Sequence, residues 1–226
     1  MSIKKIALEE HFMAPNFTDY WATTFGNISP ELSDKALGAL SDFGARRLDD
    51  MDKNGIEHAV LALAGPGVQA EKDPKLAVQR AREVNDFLAT EVVKNPKRYG
   101  GLAHVAVQDA KAAADELERC ITQLGFSGVM INGATNGMYL DDPSVEVFWE
   151  RAAALKAPVY IHPNNPIDHP SMYNGHPELW GPMWSWGVET ATHAMRIVTA
   201  GVFERYPDAK IILGHMGEAI PFQLWR

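Results

Sequence analysis

The sequence has a single cysteine in 226 residues, Cys120. An internal disulfide framework is therefore excluded, and the count fits a reducing compartment, which sets a cytoplasmic expectation. Long apolar runs are also lacking: none approaches the roughly 20 residues that span a bilayer. The apolar stretch near the N-terminus is short and is broken by Glu9, Glu10 and His11, so it does not read as a signal peptide. Positive charge is in deficit, with 21 Lys and Arg against 29 Asp and Glu and a net charge of −8. That balance argues against nucleic-acid and anionic-membrane partners. There is no Walker A sequence, no G-x-S-x-G elbow and no H-E-x-x-H, so P-loop, serine-hydrolase and zincin chemistry drop out. Gly65-Pro66-Gly67-Val68-Gln69-Ala70 has the spacing of a dinucleotide fingerprint, but Pro66 and the following Glu71-Lys72-Asp73-Pro74 do not open a helix there.

What is present is a soluble, globular composition, 46% hydrophobic and 22% charged. Short β-like runs rich in Val, Ile, Leu and Ala fall at 3–9, 57–64, 100–107, 127–132, 157–162 and 209–214. Helical patterns lie between them, at 34–53, 75–94, 110–124, 143–155 and 189–204. Asn54-Gly55, Asn95-Pro96 and Gly125 supply stops for the first three. Cys120 falls on the apolar face of the 110–124 helix, where a packed small side chain suffices. Strand and helix alternating in this way predict parallel pairing through right-handed crossovers. Two folds satisfy that pattern, a doubly wound open sheet and a TIM-type (β/α)₈ barrel. Candidate ligands spread over the first, fifth and sixth strands favour the barrel, because a closed ring brings distant strands to one axis. Such a barrel typically takes about 250 residues. The expectation is one domain over 1–226, a barrel shortened after about six βα units. The longest irregular stretch, 163–188, is expected as an active-site loop insertion.

The candidate site starts at Glu9-Glu10-His11. On a strand, Glu9 and His11 share one face and Glu10 takes the other. A carboxylate and an imidazole side by side form half of a divalent-metal site, although such a pair taken alone is more often simply solvated or hydrogen-bonded. His162 ends Ala157-Pro158-Val159-Tyr160-Ile161 and precedes Pro163; it reads equally as a ligand or as a histidine bonded to the loop backbone. His215 lies in Gly214-His215-Met216-Gly217-Glu218, where glycines allow close approach and Glu218 can orient the imidazole. Arg226 is a candidate carboxylate clamp. Trp184 and Trp186, with Trp180 and Tyr173 in the same stretch, suggest a flat or aromatic substrate, packing of the loop or a subunit contact being the other reading. His169 and His176 read as surface residues.

Ile6-Ala7-Leu8-Glu9-Glu10-His11-Phe12, Pro66-Gly67-Val68-Gln69, Tyr160-Ile161-His162-Pro163 and Gly214-His215-Met216-Gly217-Glu218 together resemble the hydroxybenzoate decarboxylase branch of the amidohydrolase superfamily. The resemblance runs in order along essentially the whole chain. Glu9 stands where hydrolytic members of the superfamily carry the first His of His-x-His. The resemblance implies Glu9, His11 and His162 as ligands of Zn²⁺ or Mn²⁺, His215 and Glu218 as a catalytic pair, and Arg226 as a substrate contact. It implies nonoxidative loss of CO₂ from a small aromatic 2-hydroxy acid, in a homodimer or homotetramer. It also implies a fourth ligand, an Asp after an eighth strand, which has no counterpart up to Arg226. Two rivals remain open at this point: a metal-dependent hydrolase of a lactone or amide, and a noncatalytic binding module.

Overall fold

The structure is a computed structural model and describes residues 3–25 and 29–225. Six strands form one sheet: β1 (Lys5–Phe12), β2 (Ile56–Leu63), β3 (Tyr99–Ala103), β4 (Gly128–Asn132), β5 (Val159–His162) and β6 (Ile211–Leu213). Every neighbouring pair is parallel, and the strand order is the sequence order. A doubly wound sheet reverses its order at a switch point; this one never does. Its curvature follows from one contact. Flat strands spaced about 4.8 Å apart would put β1 roughly 19 Å from β5. Yet Tyr160 on β5 donates a hydrogen bond from its hydroxyl to Glu9 on β1. The sheet therefore curls into most of a barrel, as the spread of candidate ligands required.

Two apolar layers hold this arc. The larger lies between the outer sheet face and the helices and includes Leu61, Leu63, Val129, Ile131, Val159 and Ile161, with Leu88, Leu117, Phe148 and Trp149 from the helices. The smaller fills the concave face with Val60, Ala62, Leu102, Met130 and Tyr160. Both faces of the central strands are thus buried, which is why their sequences show little polar alternation.

The helices are α1 (Thr18–Phe25), α2 (Pro30–Leu40), α3 (Ala45–Lys53), α4 (Pro74–Lys94), α5 (Ala110–Thr122), α6 (Glu146–Ala154), α7 (Ser185–Thr199) and α8 (Val202–Arg205). The single helix expected over 34–53 is two. Asp42 accepts the N–H groups of Gly44 and Arg47 at 3.0 and 3.1 Å, which fixes a turn between α2 and α3. The Arg47 guanidinium then reaches the carbonyls of Asp42 at 2.7 Å and His11 at 2.8 Å, tying that turn to β1. The helix expected over 189–204 starts earlier, at Ser185, and breaks at Gly201, whose φ is 72°. Trp186 is therefore helical. The six expected strands form, but several are shorter: β3 stops at Ala103 and β6 spans three residues.

Candidate metal centre and active site

Glu9 owes its position to a β-bulge. Ala7 pairs with Ala59 and Glu10 with Leu61, so Leu8 and Glu9 together oppose Val60. Ala7, Glu10 and Phe12 take the outer register, opposite outward residues of β2, while His11 pairs with the inward Ala62. Simple alternation would place Glu9 on the face of Ala7; the bulge turns it inward beside His11. Both lie within β1 rather than beyond its end. Glu10, on the outer face, stands 4.0 Å from Arg47.

Three potential ligands converge here: one ligand atom each from Glu9, His11 and His162 lies within 4.8 Å of the others. The His11 and His162 rings meet edge-on at 4.6 Å between centroids. His162 is the last residue of β5, two residues after Tyr160 and so on the same inward face. Burial pushes the His11 imidazole below its usual range and takes His162 down to about 3, so both rings are neutral with a lone pair to offer. For Glu9, burial alone would raise the carboxyl; hydrogen bonds from His215 and Tyr160 outweigh it and hold the group at about 2. The Nδ1 atoms of His11 and His162 are buried with no hydrogen bond of normal geometry. Two neutral imidazoles and an ionised carboxylate form an N₂O donor set that fits Zn²⁺ or Mn²⁺.

His215 links this group to a second carboxylate. Its Nε2 is 3.1 Å from Glu9 Oε1 and its Nδ1 is 2.9 Å from Glu218 Oε1, while its backbone N–H donates to Glu9 Oε2 at 3.1 Å. The turn that achieves this is strained: His215, Met216 and Glu218 have φ of 48°, 60° and 51°, a region costing non-glycine residues about 1–3 kcal/mol each. Gly214 leads into it, where a Cβ would lie 2.9 Å from Pro163 Cδ and 3.1 Å from the Ile161 carbonyl. Gly187 on α7 clears room for Glu218, since a Cβ there would lie 3.0 Å from Glu218 Oε2.

These groups face a cavity of about 230 Å³ lined by Glu9, His11, His162, His215, Trp186, Trp21, Leu40 and Gly65, among others. This lies below the roughly 300 Å³ lower end of drug-sized pockets and matches a small ligand. The Trp186 ring stands 5.8 Å from that of His215 and 6.3 Å from that of His162. Trp184 is 53% exposed and does not line this cavity. Arg226 lies outside the described residues. His176 is exposed beside Glu178, and His169 stacks on Trp180. Residue-by-residue reading missed Tyr160, whose signal was its two-residue spacing from His162. It also missed Asn165, which accepts from both Trp186 and Ser185.

A curled parallel sheet with this donor set at the carboxyl ends of its strands defines a metal-site barrel protein. The sequence profile of the family described as Amidohydrolase matches residues 29–225, and the chain belongs to that family. A γ-resorcylate decarboxylase of Polaromonas sp. (strain JS666) is 44% identical over 98% of this chain and 69% of its own length. The crystal structure of a 2,6-dihydroxybenzoate decarboxylase complexed with 2,6-dihydroxybenzoate superposes with a TM-score of 0.93 at 40% identity, covering 99% of this chain and 70% of that one. A dihydroxybenzoic acid decarboxylase from Polaromonas sp. JS666, with bound manganese and the inhibitor 2-nitroresorcinol, gives 0.92 at 43% identity, covering 99% and 68%.

Proposed function

We propose that this chain catalyses metal-dependent, nonoxidative decarboxylation of a small aromatic 2-hydroxy acid of the dihydroxybenzoate type. The observation that carries the reading is the convergence of Glu9, His11 and His162 within 4.8 Å at a small cavity walled by Trp186 and His215. The related decarboxylases support it from sequence and from structure.

Glu9, His11 and His162 hold the metal. When bound, the ion supplies Lewis-acid polarisation of the substrate's carboxylate and ortho oxygen. Trp186 presents an apolar wall for the substrate ring. His215, bridged between Glu9 and Glu218, holds a proton at Nε2, the nitrogen that faces Glu9 Oε1. That proton goes to the ring carbon bearing the carboxyl group. The bond from that carbon to the carboxylate then breaks, its electron pair returns to the ring, and CO₂ leaves. Glu218 keeps the imidazole aimed as the charge moves. Arg226 and the exposed Trp184 serve as substrate contacts, and 163–188 is the active-site insertion. The buried, reduced Cys120 on α5 supports a cytoplasmic setting, and the assembly is a homodimer or homotetramer.

The test is CO₂ release from 2,6-dihydroxybenzoate by the Mn²⁺-loaded chain. Release above the metal-free background is expected. A loaded chain that opens a lactone and releases no CO₂ would overturn the reading in favour of hydrolysis.

A further inference from the structure

The Trp186 indole does not stand alone in the cavity wall. Its Nε1 donates to Asn165 Oδ1 at 3.0 Å. Ser185 Oγ donates to the same oxygen at 3.0 Å and accepts the Gly181 N–H at 2.8 Å. An indole N–H can only donate, so the atom facing it must be the amide oxygen, which fixes the orientation of Asn165. On the other side, the Asn165 backbone N–H donates to Asn164 Oδ1 at 2.9 Å, and Asn164 Nδ2 reaches the Asn132 carbonyl at 3.5 Å. A chain of amides thus runs from the end of β4, past the loop that follows His162, to the first turn of α7.

This arrangement has two consequences for the cavity. The one polar atom of the Trp186 side chain donates to Asn165, so the ring offers the cavity carbon surface. The tilt of that ring is also set from the same loop that continues from His162, so wall and metal ligand are built on one support. We infer that Asn165 is a positioning residue: its side-chain oxygen fixes the plane of Trp186 against which the substrate ring lies. The inference rests on the decarboxylase reading for the identity of that ring.

The acceptor character of Oδ1 makes the idea separable from mere packing. Asn165→Asp keeps an oxygen for both donors; Asn165→Leu keeps the approximate size and removes it. The probe is 2-nitroresorcinol, which has no carboxyl group to lose, measured by calorimetry on the Mn²⁺-loaded chain. The Trp186 indole N–H resonance is followed alongside in ¹⁵N-labelled protein without the probe. Asn165→Leu should weaken the probe about tenfold, the effect of losing one hydrogen bond to a buried donor, and shift the Trp186 resonance. Asn165→Asp should stay within about threefold of the parent and keep the resonance near its place. Mn²⁺ affinity should be the same in all three. Leu tolerated and Asp harmful is the order that packing alone would give, and it would overturn the inference. If the parent chain takes up Mn²⁺ and not the probe, the decarboxylase reading falls, and the indole spectrum decides Asn165 separately. An unmoved resonance in Asn165→Leu then overturns its role.

Discussion

Removing one hydroxyl from the barrel interior, by Tyr160→Phe, should weaken metal binding and leave the fold intact. Tyr160 donates to Glu9 Oε2, which also accepts the His215 backbone N–H at 3.1 Å. Glu9 Oε1 lies 3.5 Å from His162 Nε2, so the tyrosine holds the carboxylate from behind while its front faces the imidazoles. A hydrogen bond to a charged group contributes about 1.5–3 kcal/mol. Loss of an outer contact to a metal ligand typically costs about 10–100-fold in affinity. The phenylalanine ring still packs with Val60, Ala62, Leu102 and Met130, so the metal-free fold should lose no more than that hydrogen bond, about 1.5–3 kcal/mol. The assay is Mn²⁺ titration by calorimetry, paired with a thermal melt of the metal-free chain. A dissociation constant within twofold of the parent would refute the view that Tyr160 holds Glu9 in its metal-binding position. So would an affinity loss matched by a collapse in Tm, which would mean that only the fold had suffered.

Three further outcomes follow from the packing and charge of the fold. Burial takes His193 down to about 3, whereas the unfolded chain binds that proton below about 6.5. Because the folded value is depressed, the neutral ring costs nothing at pH 7 and progressively destabilises the fold as pH drops below 6.5, by about 2 kcal/mol at pH 5. His193→Gln, which can still accept the Leu140 N–H, should flatten that acid slope in urea melts; an unchanged slope contradicts it. Asn85 donates to the His104 carbonyl and to Glu116, both at 2.8 Å, and accepts the His104 N–H at 2.9 Å. Asn85→Leu strands two buried backbone groups and should cost about 2–4 kcal/mol by denaturant unfolding; a loss below 1 kcal/mol refutes it. At Gly128 a Cβ would lie 2.6 Å from the Pro158 carbonyl, so Gly128→Ala should lower Tm by splaying β4 from β5, at about 1–3 kcal/mol, and an unchanged Tm counts against that close approach.

Much of the scaffold was legible because its signals are local. Runs such as Val129-Met130-Ile131 are buried on both faces and look the same in any covered parallel strand. The ends of helices were harder. The break between α2 and α3 depends on Asp42 and on Arg47 reaching β1, a contact no window of sequence contains. At the site, Glu9, His11, His162 and His215 were legible as polar residues punctuating apolar runs. The bulge that turns Glu9 inward was not, because a bulge is defined by the partner strand. Alternation still put Glu9 and His11 on one face, and the bulge decides that this face is the inner one. Trp184 and Trp186 looked equivalent in sequence; the first turn of α7 buries one and exposes the other. Asn165 carried no signal at all until its oxygen was seen to hold two donors.

The central claim is that Glu9, His11 and His162 bind one divalent ion. Its most direct measurement is a Mn²⁺ titration of the parent chain beside His162→Ala. One tightly held ion per chain is expected in the parent and none in the variant. Equal binding by both, or no stoichiometric binding by the parent at any concentration, would contradict it.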